Sequence, residues 1–280
     1  AIEGLPDVTL PVFGHIYSWQ LAFFIVGLPG LALCLLVWTI REPVRRGKMV
    51  RADGKKAVPL QEVFRYLARN KKTYIAHFSS FGALALLING IALWTPTFMV
   101  RTYDWQVGNA GIVYGAMIFV FGGGGLIFGG WYADYMEAKG VKGSAFVASI
   151  QGAGLAILPT FLMPLMPNAT MALILMGPAI FFGSFPFGLA VSSIHQITPN
   201  EMRGQVSAVY LFFVNLIGIG SGPTIIALLT DYVFKDDSAL HYSMSIVGGT
   251  SALLATIFLL WGLKYFRVSL EKAEVWKNNG

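Results

Sequence analysis

Few side chains in this sequence can do acid–base, redox or metal chemistry. No Asp, Glu, Lys or Arg falls in the interior of any of its long apolar runs, so His77 and His195 are the groups there that titrate near neutral pH. Both lie near the end of a run. The single cysteine, Cys34, cannot form an internal disulfide or a metal cluster. It reads as a small buried or lipid-facing side chain. Glycine clusters at Gly122–Gly125, at Gly129 and Gly130, and at Gly218, Gly220 and Gly222 invite a phosphate-cradling loop. Such a loop needs a preceding strand and a solvent-facing helix start. These glycines lie inside apolar runs, where small residues let membrane helices touch. The expectation is therefore no catalytic group, no metal, no cofactor and no enzyme.

What remains is hydrogen bonding and bending. Asn89, Tyr114, Gln151, Ser184 and Asn215 each fall inside a different apolar run. Each can bind a solute or a neighbouring helix. Pro96, Pro159, Pro178, Pro186 and Pro223 each remove a backbone hydrogen bond and tend to kink a helix. Pro186, between Gly183 and Gly188, marks either a mid-membrane hinge or a fixed kink.

The elements that position these residues follow from composition. Of the 280 residues 55% are hydrophobic and 12% charged, against about 25% charged in a soluble domain. Seven runs reach the length of about 20 residues that a membrane helix needs: Trp19–Ile40, Tyr74–Val100, Asn109–Ala133, Ser144–Met166, Met171–Ile197, Val206–Thr230 and Ser243–Tyr265. They are apolar nearly all round, and none alternates as a barrel strand would. The expectation is an all-α integral membrane protein embedded in a lipid bilayer.

Charge sets its orientation. Of 20 Lys and Arg residues, 18 fall on one side of these spans, and only Arg101 and Lys235 on the other. Basic residues mark the cytosolic side, so the N-terminus lies outside and the C-terminus inside. The net charge of +6 is thus an orientation signal and a contact for anionic lipid, not a nucleic-acid footprint. Within the basic loop, Leu60, Val63, Phe64 and Leu67 recur at helical spacing behind Pro59. That predicts an amphipathic helix, either on the inner leaflet or packed on the cytosolic face of the bundle. Arg41–Val58, with Gly47 and Gly54, reads as a flexible linker. The opening, Ala1–Ser18, lacks a signal peptide's features and reads as a loop with sequence expected upstream.

Three stretches carry a family resemblance. Gly130-Trp131-Tyr132-Ala133-Asp134, followed by Lys139 and Gly140, is similar to the loop motif of the major facilitator superfamily, although Tyr135 stands where a basic residue usually follows the Asp. Pro199-Asn200-Glu201-Met202-Arg203-Gly204 resembles a Pro–Arg–Gly loop of the same superfamily. Gly27-Leu28-Pro29-Gly30, Arg41-Glu42-Pro43, the segment from Asn215 to Pro223, and Asp231 most resemble the spinster-like branch. That branch includes lysolipid and sphingosine-phosphate exporters, and the organic anion:proton symporters are its near neighbour.

The resemblance implies a twelve-helix fold rocking about a midplane site. Residues 1–18 would be an extracytoplasmic loop and 19–40 the sixth helix, closing the N-terminal half. Residues 41–73 would form the central cytosolic loop, 74–266 the C-terminal six-helix domain, and 267–280 a cytosolic tail. Helices one to five would belong to a missing N-terminal half. The second and fifth spans here would line the cavity and the third and sixth would flank it, which favours Asn89, Tyr114, Ser184 and Asn215 over Gln151. Gly130, Asp134, Lys139, Gly140, Pro199, Arg203 and Gly204 would serve gating. Gly183, Pro186, Gly188, Gly218, Gly220, Gly222 and Pro223 would serve packing or hinging. The implied function is secondary active transport of an amphipathic or organic anionic solute, lipid-like or otherwise small, in the bacterial inner membrane. The alternatives are a proton-coupled importer of sugar acids, a seven-helix receptor and a membrane-embedded enzyme.

Overall fold

Apolar runs long enough to cross a bilayer have no water to satisfy their backbone, so each closes its own hydrogen bonds as a helix. The computed structural model describes residues 8–10, 14–39 and 58–278. Arg41-Glu42-Pro43, Gly47 and Gly54 lie outside the described residues. After a hairpin of β1 (Val8–Leu10) and β2 (Gly14–Ile16) comes α1 (Ser18–Trp38), then α2 (Leu60–Arg69) and α3 (Lys71–Tyr103). The chain continues through α4 (Val107–Met117), a π-helical turn at Ile118–Gly122, α5 (Gly123–Ala138), α6 (Ser144–Leu162), α7 (Ala169–Ser184) and α8 (Phe187–Ile197). It ends with α9 (Arg203–Leu228), a second π-helical turn at Leu229–Phe234, and α10 (Leu240–Asn278). Joined across their irregular turns, α3 to α10 make six helices long and apolar enough to cross a membrane.

These six form one bundle around α3, which packs most extensively on α9 and α10. Small residues set the closest approaches. A Cβ on Gly218 would fall on Ala85, and one on Gly262 on Ala76. A Cβ on Gly125 or Gly129 would strike the carbonyl of Phe181 or Phe185. Hydroxyls tie the helix ends: Thr73 to Ser269 at 2.9 Å, Tyr74 to Thr198 at 2.8 Å and Thr230 to Ser243 at 2.8 Å. The α5–α6 turn needs left-handed backbone at Gly140 (φ 81°) and Gly143 (φ 74°), where a side chain would be strained.

The spans extend beyond their purely apolar stretches. The last helix runs through the segment expected as a tail, because Phe266, Ser269 and Ala273 recur on one buried face. The amphipathic helix forms as α2, with Val63 fully buried against the bundle and Leu60 and Phe64 exposed. It is pinned by the Tyr66 hydroxyl donating to the Ile197 carbonyl and by Gln205 Nε2 donating to the Val58 carbonyl at 2.8 Å. Burial pushes the Tyr66 phenol above its ordinary pKa. The packed alternative therefore holds for one face of α2, while the other remains open. By contrast, α1 is exposed from Leu31 to Thr39, Cys34 included, and stands clear of the bundle core. The hairpin in the opening loop was not anticipated, since three-residue strands carry too little alternation to read.

Candidate functional site

Tyr114 and Ser184 line one cavity of about 100 Å³, enclosed by α3, α4, the end of α6 and α7. Its walls are apolar, including Leu87, Ile91, Ile118, Met176 and Ile180, and no charged side chain lines it. Near Tyr114, Thr95 Oγ1 donates to the Ile91 carbonyl at 2.7 Å. Thr160 adds a third hydroxyl to the wall, itself donating to the Ala156 carbonyl at 2.7 Å.

Irregular backbone surrounds this cavity. The π-helical turn begins at Ile118 and ends at Gly122, where a Cβ would lie 3.6 Å from Ser184 Oγ. Such turns leave carbonyls less tightly paired and recur at functional sites. Ser184 closes α7, and the helix breaks at Phe185 and Pro186 before α8 begins. Pro96 supplies no N–H for the carbonyl of Ala92, which also lines the cavity. Gly183 faces Leu87 at 3.8 Å, and Gly188 approaches the Leu126 carbonyl at 3.2 Å, both measured from a notional Cβ.

The remaining polar candidates are elsewhere. Asn89 is half-buried, and its amide donates to the Ala85 carbonyl at 2.8 Å within its own helix. Asn215 is exposed on α9. Gln151 lines a larger cleft of about 510 Å³ beside Phe128, Tyr132, Phe182 and Phe185. Sequence reasoning missed Thr95 and Thr160. Each adjoins a proline inside an apolar run, Thr95 before Pro96 and Thr160 after Pro159, and that adjacency was the available signal.

Against this geometry stand the known proteins. Residues 8–223 match the Major Facilitator Superfamily. This chain belongs to that superfamily. It is similar to the uncharacterized transporter YybO of Bacillus subtilis, at 23% identity over 88% of this chain and 59% of that protein. An MFS-type efflux pump of Mycolicibacterium smegmatis is 22% identical over 91% of this chain and 59% of its own length. The chain thus spans about three-fifths of the curated relatives it matches. Among solved structures it resembles a bacterial homolog of the human lysosomal transporter Spinster, inward-facing and unoccupied, with a TM-score of 0.58 and 20% identity. That match covers 91% of this chain and 60% of the other. A structure of a bacterial Spinster homolog in an inward-facing, occupied conformation gives 0.55. The fold is that of a major facilitator protein, a multi-pass membrane protein.

The residues read as loop motifs lie at the helix ends on the basic side of the spans. Asp134 is exposed in the second half of α5, and among the described residues no ion pair joins it to Lys139 or Arg203. Lys139 Nζ instead stands 4.3 Å from the centre of the Tyr135 ring. Arg203 Nε donates to the Thr198 carbonyl at 3.2 Å, closing the turn through Pro199. Gly130 and Gly204 face open space. His195 Nε2 meets Ser207 Oγ at 2.9 Å. His77 is fully buried, its Nε2 2.9 Å from Ser193 Oγ and 3.0 Å from the Ala190 carbonyl. That carbonyl can only accept, so Nε2 carries the proton. Nδ1 meets no hydrogen-bond partner among the described residues. The ring sits among Phe81, Phe146 and Tyr210.

Proposed function

We propose that this chain supplies one wall of the solute site in a secondary active transporter that moves an amphipathic or organic anionic solute by alternating access. The observation that carries this reading is the cavity holding Tyr114 and Ser184 beside a π-helical turn and a helix break. Hydroxyls in an apolar wall can fix a polar head while the wall takes an apolar body. A cavity without cationic lining favours an amphipathic solute over a sugar acid, whose carboxylate needs a positive partner. The break at Phe185 and Pro186 and the glycines around it are the elements proposed to bend as the protein rocks. The chain's share of its relatives' length leaves room for a second bundle opposite. In this reading that bundle, the N-terminal six-helix half, supplies the facing wall. The basic end faces the cytosol of a bacterial inner membrane.

The test is solute uptake by the intact protein in proteoliposomes, across a panel of lysolipids and organic anions. Tyr114→Phe and Ser184→Ala should each weaken solute binding several-fold, as loss of a hydrogen bond of about 1 kcal/mol does. Unchanged uptake of every panel member by both variants would reject this cavity as the solute wall.

A further inference from the structure

At the basic end lies a second cleft, of about 180 Å³, between the start of α3 and the end of α10. Arg69, Lys71, Lys72 and Lys272 line it, and no carboxylate does. The Lys71, Lys72 and Lys272 side chains are exposed, and among the described residues none of the four is ion-paired. Four cations gathered around one small cleft raise the local positive potential and favour an anion there. The neighbouring carboxylates Glu271 and Glu274 line a different cleft, with Arg267.

Three further features shape what the anion is. The cleft opens onto the first turn of the 33-residue α3, where the Thr73 and Tyr74 N–H groups already donate to the Asn70 carbonyl, so the lysine ammonium groups are its donors to an anion. Its floor is Thr73 paired to Ser269, a buried hydroxyl couple that holds α3 against α10 and fixes the spacing of the lysines. Its side is aromatic: Lys72 Nζ and Lys264 Nζ each stand 5.0 Å from the centre of the Tyr265 ring. The Tyr265 ring meets Trp261 edge-on, with centroids 5.4 Å apart. Tyr and Trp at such a level mark the membrane–water interface, where lipid headgroups sit. From there the wall turns apolar and stays exposed, through Ile75 on α3 and Val268, Trp261, Leu260 and Ile257 on α10.

We propose that this cleft seats the phosphate of an anionic phospholipid, with the lipid's chains lying along Ile75 and the exposed face of α10. The cations meet the headgroup, and the apolar strip receives what a free phosphate does not have. Basic pockets between membrane helices bind anionic headgroups in this way. The bound lipid bridges α3 to α10 at the point where α2 joins the bundle.

Native mass spectrometry of the intact protein in detergent tests it, with dioleoyl phosphatidylglycerol, dioleoyl phosphatidylcholine and inorganic phosphate as probes. Phosphatidylglycerol should be retained about tenfold or more over phosphatidylcholine, the scale that two surface lysines contribute. Lys72→Gln with Lys272→Gln should bring its retention down to the phosphatidylcholine level. Lys72→Arg with Lys272→Arg should keep it high, as should Lys142→Gln with Arg267→Gln at the other cleft. Excess inorganic phosphate should leave it unchanged. Equal retention of the two lipids, equal retention by the Lys→Gln variant and its parent, or displacement by inorganic phosphate would each overturn the proposal. Binding is read without transport, so the result is independent of the solute reading above.

Discussion

Gly222 of α9 packs against Gly90 of α3 so closely that a Cβ on Gly222 would lie 3.0 Å from the Gly90 amide nitrogen and 2.8 Å from the Leu86 carbonyl. Both neighbours are backbone and cannot rotate aside. Gly220, two residues earlier, faces open space. Gly222→Ala should therefore cost about 1–3 kcal/mol, as overpacking does, and Gly220→Ala close to nothing. Thermal melting of the two variants in one detergent checks this. Equal melting temperatures would mean that the α3–α9 contact is looser than described here.

His77 ties α3 to α8 from a fully buried position. Ser193→Ala removes one partner of Nε2 but leaves the Ala190 carbonyl, and should cost about 1 kcal/mol. His77→Ala also opens a cavity among Phe81, Phe146 and Tyr210, and should cost about 3 kcal/mol. In the double variant the two losses should fall short of additive, because they share one hydrogen bond. Strict additivity in chemical unfolding would show that the pair is not coupled.

Asp134 offers a different kind of test. Its carboxylate is exposed and, among the described residues, unpaired with Lys139 or Arg203. Asp134→Asn should thus leave expression and melting near those of the parent while cutting transport, if the carboxylate acts in another conformation of the cycle. Uptake equal to the parent's at every solute concentration would remove Asp134 from gating.

Asn89 and Asn215 do not titrate. Asn89→Ala or Asn215→Ala should leave the pH dependence of solute binding as it was, and should weaken binding itself only where the solute reaches beyond the Tyr114–Ser184 cavity. The exposed Asn215 should matter only if α9 faces the solute path. His77 and His195 are the control for this argument. If His77→Ala or His195→Ala binds solute normally but no longer responds to a pH gradient, proton coupling resides in this chain.

What could be read from the sequence was set by local chemistry. Twenty or so apolar residues without a charge must become a membrane helix, so the six spans from Tyr74 to Tyr265 were legible, though not their charged extensions, of which the run of α10 on to Asn278 is the longest. So was α2, from the spacing of Leu60, Val63, Phe64 and Leu67. The loop motifs around Asp134 and Arg203 were legible as patterns of residue type. What only the tertiary structure decided was facing. Runs that are apolar all round have almost no amphipathic signal, so nothing in the order of residues says which side of a span turns inward. Gly218 and Gly222 meet α3 while Gly220 does not, and Tyr114 and Ser184 share a cavity while Asn89 and Asn215 lie off it. The basic cleft is a case of the same kind. Lys72 and Lys272 are 200 positions apart, and they come together only because small residues let α3 and α10 lie side by side.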